Sequence, residues 1–194
     1  DTVIDCRQSV TMVVIPDYIT CIGDYAFSYC SSLTSVTIPN SVTSIGIRAF
    51  SRCSSLTSVS IPNSVISIGD VAFDGTAIYH DDANWESGVL YISNCLIEAK
   101  DDILGSYAIK ENTRILANYA FSSCSSLTSI TIPESVTNIG NNAFQYCSSL
   151  DTIYVEATTP PTLGSYVFSS TPASFCYIPC GTKSAYEASY WASQ

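Results

Sequence analysis

The chain has 194 residues, 46% of them hydrophobic and only 12% charged, and its 17 Asp or Glu against seven Lys or Arg give a net charge of −10. With no basic cluster, that balance excludes nucleic acid and anionic membrane surfaces as partners. No apolar run approaches the roughly 20 residues that span a bilayer, and a chain that begins at Asp1 without a leader is expected to be one domain of a processed, exported protein.

Residues 1–12 are predicted to form an N-terminal cap, an end strand over the first core layer with Arg7 and Gln8 in solvent, because stacked repeats need covered ends. From Val13 to Ala77 one unit is copied three times: Ile15, Ile38 and Ile61 follow at 23-residue steps. Internal repetition of this kind outranks other sequence signals. In the second copy Val36 and Ile38 alternate with Ser35 and Thr37, the period of a strand with one buried face. Pro39 ends that strand, having no N–H for a ladder. Val42 and Ile45 read as a second, shorter extended run. Gly46 is expected in a turn with positive φ. Ala49-Phe50 fit a short helical turn whose ring plugs the core, and Ser54-Ser55 turn the chain toward Leu56. The same columns recur at Gly23, Gly69 and Gly140, at Phe27, Phe73, Phe121 and Phe144, and at Leu33, Leu127 and Leu150. One such unit cannot bury its apolar stripe, whereas stacked units cover each other.

The third copy decays at Asp74-Gly75-Thr76. Residues 78–108 do not repeat, yet Ile61 to Ile109 is 48 residues, two periods plus two. The segment therefore takes one coil slot with a two-residue insertion. Val89–Ile92 and Cys95–Ala99 are predicted strands joined by a tight turn at Ser93-Asn94, a β-hairpin insert. Coils five to seven occupy 109–173. In the fifth, Lys110 stands for Pro and Ala117 for Gly; the sixth, from Ile130 to Thr152, is complete; the seventh carries a stiff outward bulge at Pro160-Pro161. Residues 174–194 read as a C-terminal cap: a short helix capped by Thr182, with Tyr186 and Tyr190 sharing its inner face and Trp191 covering the last coil.

The columns I-P-x-S-V-x-x-I-G-x-x-A-F-x-x-C-x-x-L, present over roughly Val13 to Ala77 and Ile109 to Phe168, resemble the BspA-like, or treponemal-type, leucine-rich repeats. The insert G-V-L-Y-I and its following strand also resemble a segment common in that family. The resemblance implies a leucine-rich-repeat solenoid, mostly β, with right-handed coils of about 23 residues, parallel strand ladders, short helical turns, one hairpin insert and a short C-terminal helix. It also implies a surface or secreted protein of a host-associated microbe, since several members are adhesins.

Nine cysteines are present. Cys30, Cys53, Cys124 and Cys147 share one column and are expected as a buried ladder of free thiols, because side chains stacked in parallel do not point at one another as a bridge requires. Cys176 and Cys180 are the better candidates for a disulfide. The single His80 lies beside Asp81-Asp82, but a tetrahedral zinc site wants about four ligands. Asp81-Asp82 and Asp101-Asp102 could gather round calcium, or simply be acidic turns. No phosphate loop or nucleophile elbow occurs, and one histidine gives a Ser–His triad little support. No enzyme and no cofactor is expected.

What remains is surface. Outward positions of the main strand, Ser35/Thr37, Ser58/Ser60, Ser129/Thr131 and Thr152/Tyr154, form a hydroxyl ladder. Two further columns vary while the core columns do not. Two before Phe stand Tyr25, Arg48, Val71, Tyr119 and Asn142; just before Cys stand Tyr29, Arg52, Ser123 and Tyr146. Tyr and Arg favour protein interfaces. The expected binding residues are thus Tyr25, Tyr29, Arg48, Arg52, Tyr119 and Tyr146, with His80 and Trp85 from the insert. The expected function is adhesion or binding through a rigid face, by a monomer, to a protein or cell-surface partner, extracellular matrix included. A carbohydrate-binding module, with Tyr154 or Trp85 stacked on a sugar, and a passive spacer are the alternatives.

Overall fold

A computed structural model describes Thr2–Val3 and residues 10–193. The expected solvent positions of Arg7 and Gln8 lie outside these. The chain divides into two compact units, Asp1–Glu86 with Leu90–Ile97 and Ser87–Val89 with Glu98–Gln194.

The first unit is a β-solenoid with two parallel ladders. Its strands in chain order are β1 (Thr2–Val3), β2 (Met12–Val14), β3 (Cys21–Ile22), β4 (Ser35–Thr37), β5 (Ser44–Ile45), β6 (Ser58–Ser60) and β7 (Ser67–Ile68). One ladder runs β2-β4-β6, pairing Val13, Val36 and Val59 in register. The other runs β1-β3-β5-β7, pairing Ile22, Ile45 and Ile68. Equivalent side chains one period apart therefore lie on top of one another. Phe27, Phe50 and Phe73 stack with ring centroids 5.2 and 5.3 Å apart and planes 2° and 11° apart. That spacing is close to the rise of one strand.

The insert opens with a helical turn, α1 (Ala77–His80), that the sequence did not announce. Its N-cap is the buried Thr76, whose hydroxyl accepts from Tyr79 N–H. The strands β8 (Trp85–Glu86), β9 (Val89–Ile92) and β10 (Cys95–Ala99) follow. The turn between β9 and β10 falls at Ser93-Asn94 with Ser93 at φ 54, so the predicted hairpin boundaries are those observed.

The second unit repeats the plan with β11 (Gly105–Ala108), β12 (Ile115–Leu116), β13 (Leu127–Ile132), β14 (Asn138–Ile139), β15 (Thr152–Val155), β16 (Thr162–Leu163), β17 (Phe175–Tyr177) and α2 (Lys183–Glu187). Its ladders are β11-β13-β15-β17 and β12-β14-β16, all parallel. Phe121, Phe144 and Phe168 stack at 5.2 and 5.4 Å. The Pro160-Pro161 bulge adds one residue, because β14 still pairs in register with β16. It is not wholly outward: Pro161 is buried.

Three local expectations need correction. Gly46 has no positive φ. A Cβ there would lie 2.5 Å from Asp24 N and 2.6 Å from the carbonyl carbon of Gly23. The column is glycine because adjacent coils touch backbone to backbone, not because of a turn. Thr182 stands at the N-cap of α2, but its hydroxyl donates to Pro179 O at 2.7 Å instead of accepting a helix N–H. Tyr190 does not share a face with Tyr186, because α2 stops at Glu187; Tyr186 is buried and Tyr190 is 64% exposed. Trp191 does rest on the last coil, its indole N–H donating to Pro161 O at 2.8 Å and its ring tilted on Phe168.

The eight cysteines of the described residues are free thiols, Cys176 and Cys180 among them. Cys30, Cys53, Cys124 and Cys147 are fully buried. They are more than apolar filling: Cys53 Sγ–H donates to Phe27 O at 2.9 Å and Cys147 Sγ–H to Phe121 O at 3.0 Å. Burial pushes Cys124 and Cys147 from near 9.0 up to about 12. A raised folded pKa means that stability from keeping these thiols neutral is whole below about pH 9 and is lost as pH climbs toward 12. At pH 8 a thiol reagent should label exposed Cys176 and Cys180 in the native protein and reach the ladder only after denaturant. Mass mapping of the labelled cysteines checks this.

Candidate functional site

The two variable columns share a backbone feature invisible in the sequence. Every residue in them is left-handed: Tyr25, Tyr29, Arg48, Arg52 and Val71 in the first unit, and Tyr119, Ser123, Asn142, Tyr146, Tyr166 and Ser170 in the second, with φ between 44 and 67. Gly75, at the place of Arg52 one coil on, has φ 68. Such values are uncommon for non-glycine residues and cost roughly 1 kcal/mol or more each.

Hydrogen bonding explains why the chain tolerates them. In the turn after each column glycine, alternate N–H groups bond within the turn and the others reach along the stack. Tyr25, Phe27 and Tyr29 donate to the carbonyls of Ile47, Ala49 and Ser51 at 2.8, 2.7 and 2.9 Å. Arg48, Phe50 and Arg52 donate in turn to Asp70, Ala72 and Asp74. Tyr119, Phe121 and Ser123 do the same to Asn141, Ala143 and Gln145. The left-handed residues redirect these N–H groups into an axial ladder, so buried backbone donors are satisfied. Side-chain acceptors extend it: Asp24 Oδ1 accepts from Ile47 N–H at 2.7 Å, and Asn118 Oδ1 from Asn141 N–H at 2.8 Å.

Val71, a β-branched residue at φ 44, is the most strained member. Val71→Gly should relieve this strain and stabilise the protein by about 1 kcal/mol, read as a higher urea midpoint; a lower midpoint would mean that its half-buried side chain outweighs the strain.

The columns point outward. Tyr25, Tyr29 and Tyr146 are more than half exposed, Tyr119 less so. Within the first unit the structure brings four expected residues together. The Arg48 guanidinium sits 5.9 Å from the Tyr25 ring centroid and that of Arg52 5.4 Å from Tyr29. Each such cation–π contact at an exposed site contributes about 0.5–1 kcal/mol and holds both side chains in place. Asp70 stands beside Arg48; burial pushes its carboxyl above the usual range, although the guanidinium and the Val71 N–H act the other way. Arg48 and Arg52 are the sole Lys or Arg among the described residues of this unit.

His80 and Trp85 form a separate cluster around Tyr79. His80 is exposed, its ring edge-on to Tyr79, and half-buried Trp85 donates its indole N–H to Tyr79 O at 2.8 Å. Trp85 thus ties the insert to itself. In the second unit Tyr119 and Tyr146 occupy different columns. Tyr166, 72% exposed, extends the Tyr119 column and is missing from the expected set; its place two before Phe168 was the available signal.

The strand face also departs from a plain hydroxyl ladder. Met12 and Val14 occupy the columns of Ser35 and Thr37 and are 69% and 72% exposed. In the second unit Thr131 leads to Tyr154 and then Tyr177, whose rings stack at 5.1 Å with planes 14° apart. Among the described residues no three His, Cys, Asp or Glu side chains gather as metal ligands would, and no helix is long and apolar enough to cross a membrane.

Comparison with known proteins agrees with these repeats. A family model described as "BspA type Leucine rich repeat region (6 copies)" matches residues 5–98 and 82–194. The chain is similar to the crystal structure of a leucine rich repeat protein from T. pallidum, at 22% identity and a TM-score of 0.40, over 90% of this chain and 81% of that one. It is similar to a leucine rich cell surface protein from Faecalibacterium prausnitzii, at 25% identity and a TM-score of 0.38, over 95% of this chain and 63% of that one. A leucine-rich repeat protein from Bacteroides ovatus gives 20% identity and a TM-score of 0.31, over 84% and 73%. No curated protein matches.

Proposed function

The chain belongs to the BspA type leucine rich repeat family, and from that premise we propose that it is a non-enzymatic, cell-surface or secreted binding protein whose turn face meets a protein partner. The observation that carries the reading is the held Arg–Tyr patch. Tyr25, Tyr29, Arg48 and Arg52 are exposed on left-handed turns braced by axial hydrogen bonds. A prearranged patch loses little conformational freedom when it binds, and Tyr and Arg are the residues that most often carry interface energy. His80 and Trp85 of the insert, and Tyr119 and Tyr146 of the second unit, are proposed as further contacts, each in its own right.

The test is surface plasmon resonance against purified extracellular-matrix and serum proteins. For a partner bound by the native chain, the double variant Tyr29→Ala with Arg52→Ala should weaken affinity at least tenfold, the range of interface hot spots. Alanine keeps the left-handed backbone cost of the native residue, so a change reports the side chains. Unchanged affinity removes this patch from the function.

Carbohydrate binding rests on a different observation, the exposed Tyr154–Tyr177 stack beside the hydroxyl of Thr131. A glycan array separates the readings: saccharide binding lost in Tyr177→Ala, with no protein bound, would reverse their order.

A further inference from the structure

The main ladder of the second unit, β11-β13-β15-β17, ends on an uncovered strand. All three residues of β17, Phe175, Cys176 and Tyr177, are exposed. The C-terminal cap lies elsewhere: Trp191 bonds to Pro161, beside the end of the other ladder at β16. Cys176 continues the inward column above Ile153 and, with Ile178, borders a cavity of about 300 Å³. Sheets ordinarily blunt such an edge with a charged side chain, a proline or a covering segment. From Ser174 to Ile178 there is neither charge nor proline.

The backbone of β17 also has a free side. Phe175 N–H donates to Asp151 O of the preceding coil at 3.0 Å. Backbone groups alternate sides along a strand, so the N–H and C=O of Cys176 face away from β15. Apolar side chains collect at the same edge. In the outward columns Ser129 leads to Thr152 and Phe175, and Thr131 to Tyr154 and Tyr177. Hydroxyls give way to rings toward the last strand, where Phe175 and Tyr177 are each 55% exposed.

We propose that β17 pairs antiparallel with β17 of a second copy about a twofold axis at Cys176, doubling the ladder. The register is self-complementary. Cys176 and its symmetry mate exchange both N–H···O bonds, the hydrogen-bonded pair of an antiparallel ladder. Phe175 then lies opposite Tyr177 of the second copy and Tyr177 opposite Phe175 of the second copy, and cross-strand aromatic pairs stabilise such a ladder. The exposed parts of the three side chains amount to about 300 Å² per copy. With flanking residues the two copies bury about 1,000 Å² in total, the lower bound for a specific interface. The charge of −10 on each copy works against tight association. The dimer is therefore reversible, and it replaces the monomer expected from the sequence. It does not involve the Arg–Tyr patch.

Sedimentation equilibrium of the chain from micromolar to millimolar concentration tests this. The mass should rise from 20.8 kDa to twice that value and stop there. A monomer throughout overturns the proposal, and so does growth beyond two copies, which a closed twofold contact forbids. Phe175→Lys puts a charge on the edge and should weaken the dimer at least tenfold, with the melting of dilute protein unchanged. Cys176→Pro removes the outward N–H without breaking a bond to β15 and should abolish the dimer. Unchanged affinity in either variant shows that another surface pairs; should melting show the proline variant unfolded, Phe175→Lys decides alone. In the native dimer bismaleimidoethane should link Cys176 to Cys176 of the second copy, read by mass mapping. Links through Cys180 alone would refute the register.

Discussion

Phe144→Ala should destabilise the protein by about 3–5 kcal/mol, the range for removing a buried phenylalanine ring. Phe144 is fully buried and touches rings on both sides, Phe121 at 5.2 Å and Phe168 at 5.4 Å. Deletion leaves a gap inside a continuous column, and the axial bonds from Phe121 N–H and Phe144 N–H on either side keep the coils from closing onto it. Partial relaxation of this kind is what makes cavities costly. Phe175→Ala is the matched control: its ring is 55% exposed on the last strand, and its loss should stay within about 0.5 kcal/mol. Urea denaturation of both variants decides. Similar losses would mean that the column is not what holds the second unit together.

Gly140→Ala should cost about 3 kcal/mol although it adds a single methyl group. The new Cβ would lie 2.6 Å from both the Ala117 carbonyl carbon and Asn118 N, backbone atoms of the preceding coil that cannot swing away. Relief requires the coils to separate, which lengthens the bond from Gly140 N–H to Leu116 O, now 2.9 Å. Gly105→Ala isolates the other reason for glycine. Gly105 has φ 70 but open space around its Cβ position, so its replacement should cost only about 1 kcal/mol of backbone strain. Were the two variants equally stable, close approach between coils would not be the reason for the glycine column.

The outward turn face stood out in the sequence for a reason other than its backbone. Its columns stood out because Tyr, Arg, Val, Ser and Asn alternate there while Phe and Cys do not. Tyr, Arg, Val and Ser do not announce a positive φ; only Gly75 and Asn142 are residues that favour it. In the opposite sense, the glycine at Gly46 advertised a left-handed turn and instead marks a backbone contact. The cap shows the same limit. Tyr186 and Tyr190 have helical spacing, but the helix ends between them.

The sequence alone determined the period, the strand positions and the membership of each interior column. A 23-residue copy makes every rung alike, and alternation along a rung tells inside from outside. Tertiary structure decided which backbone groups bond along the axis, why particular turns are left-handed, which outward side chains meet and where a cavity remains. Those outcomes depend on the distance between neighbouring coils, a property of two rungs in contact that no single rung encodes.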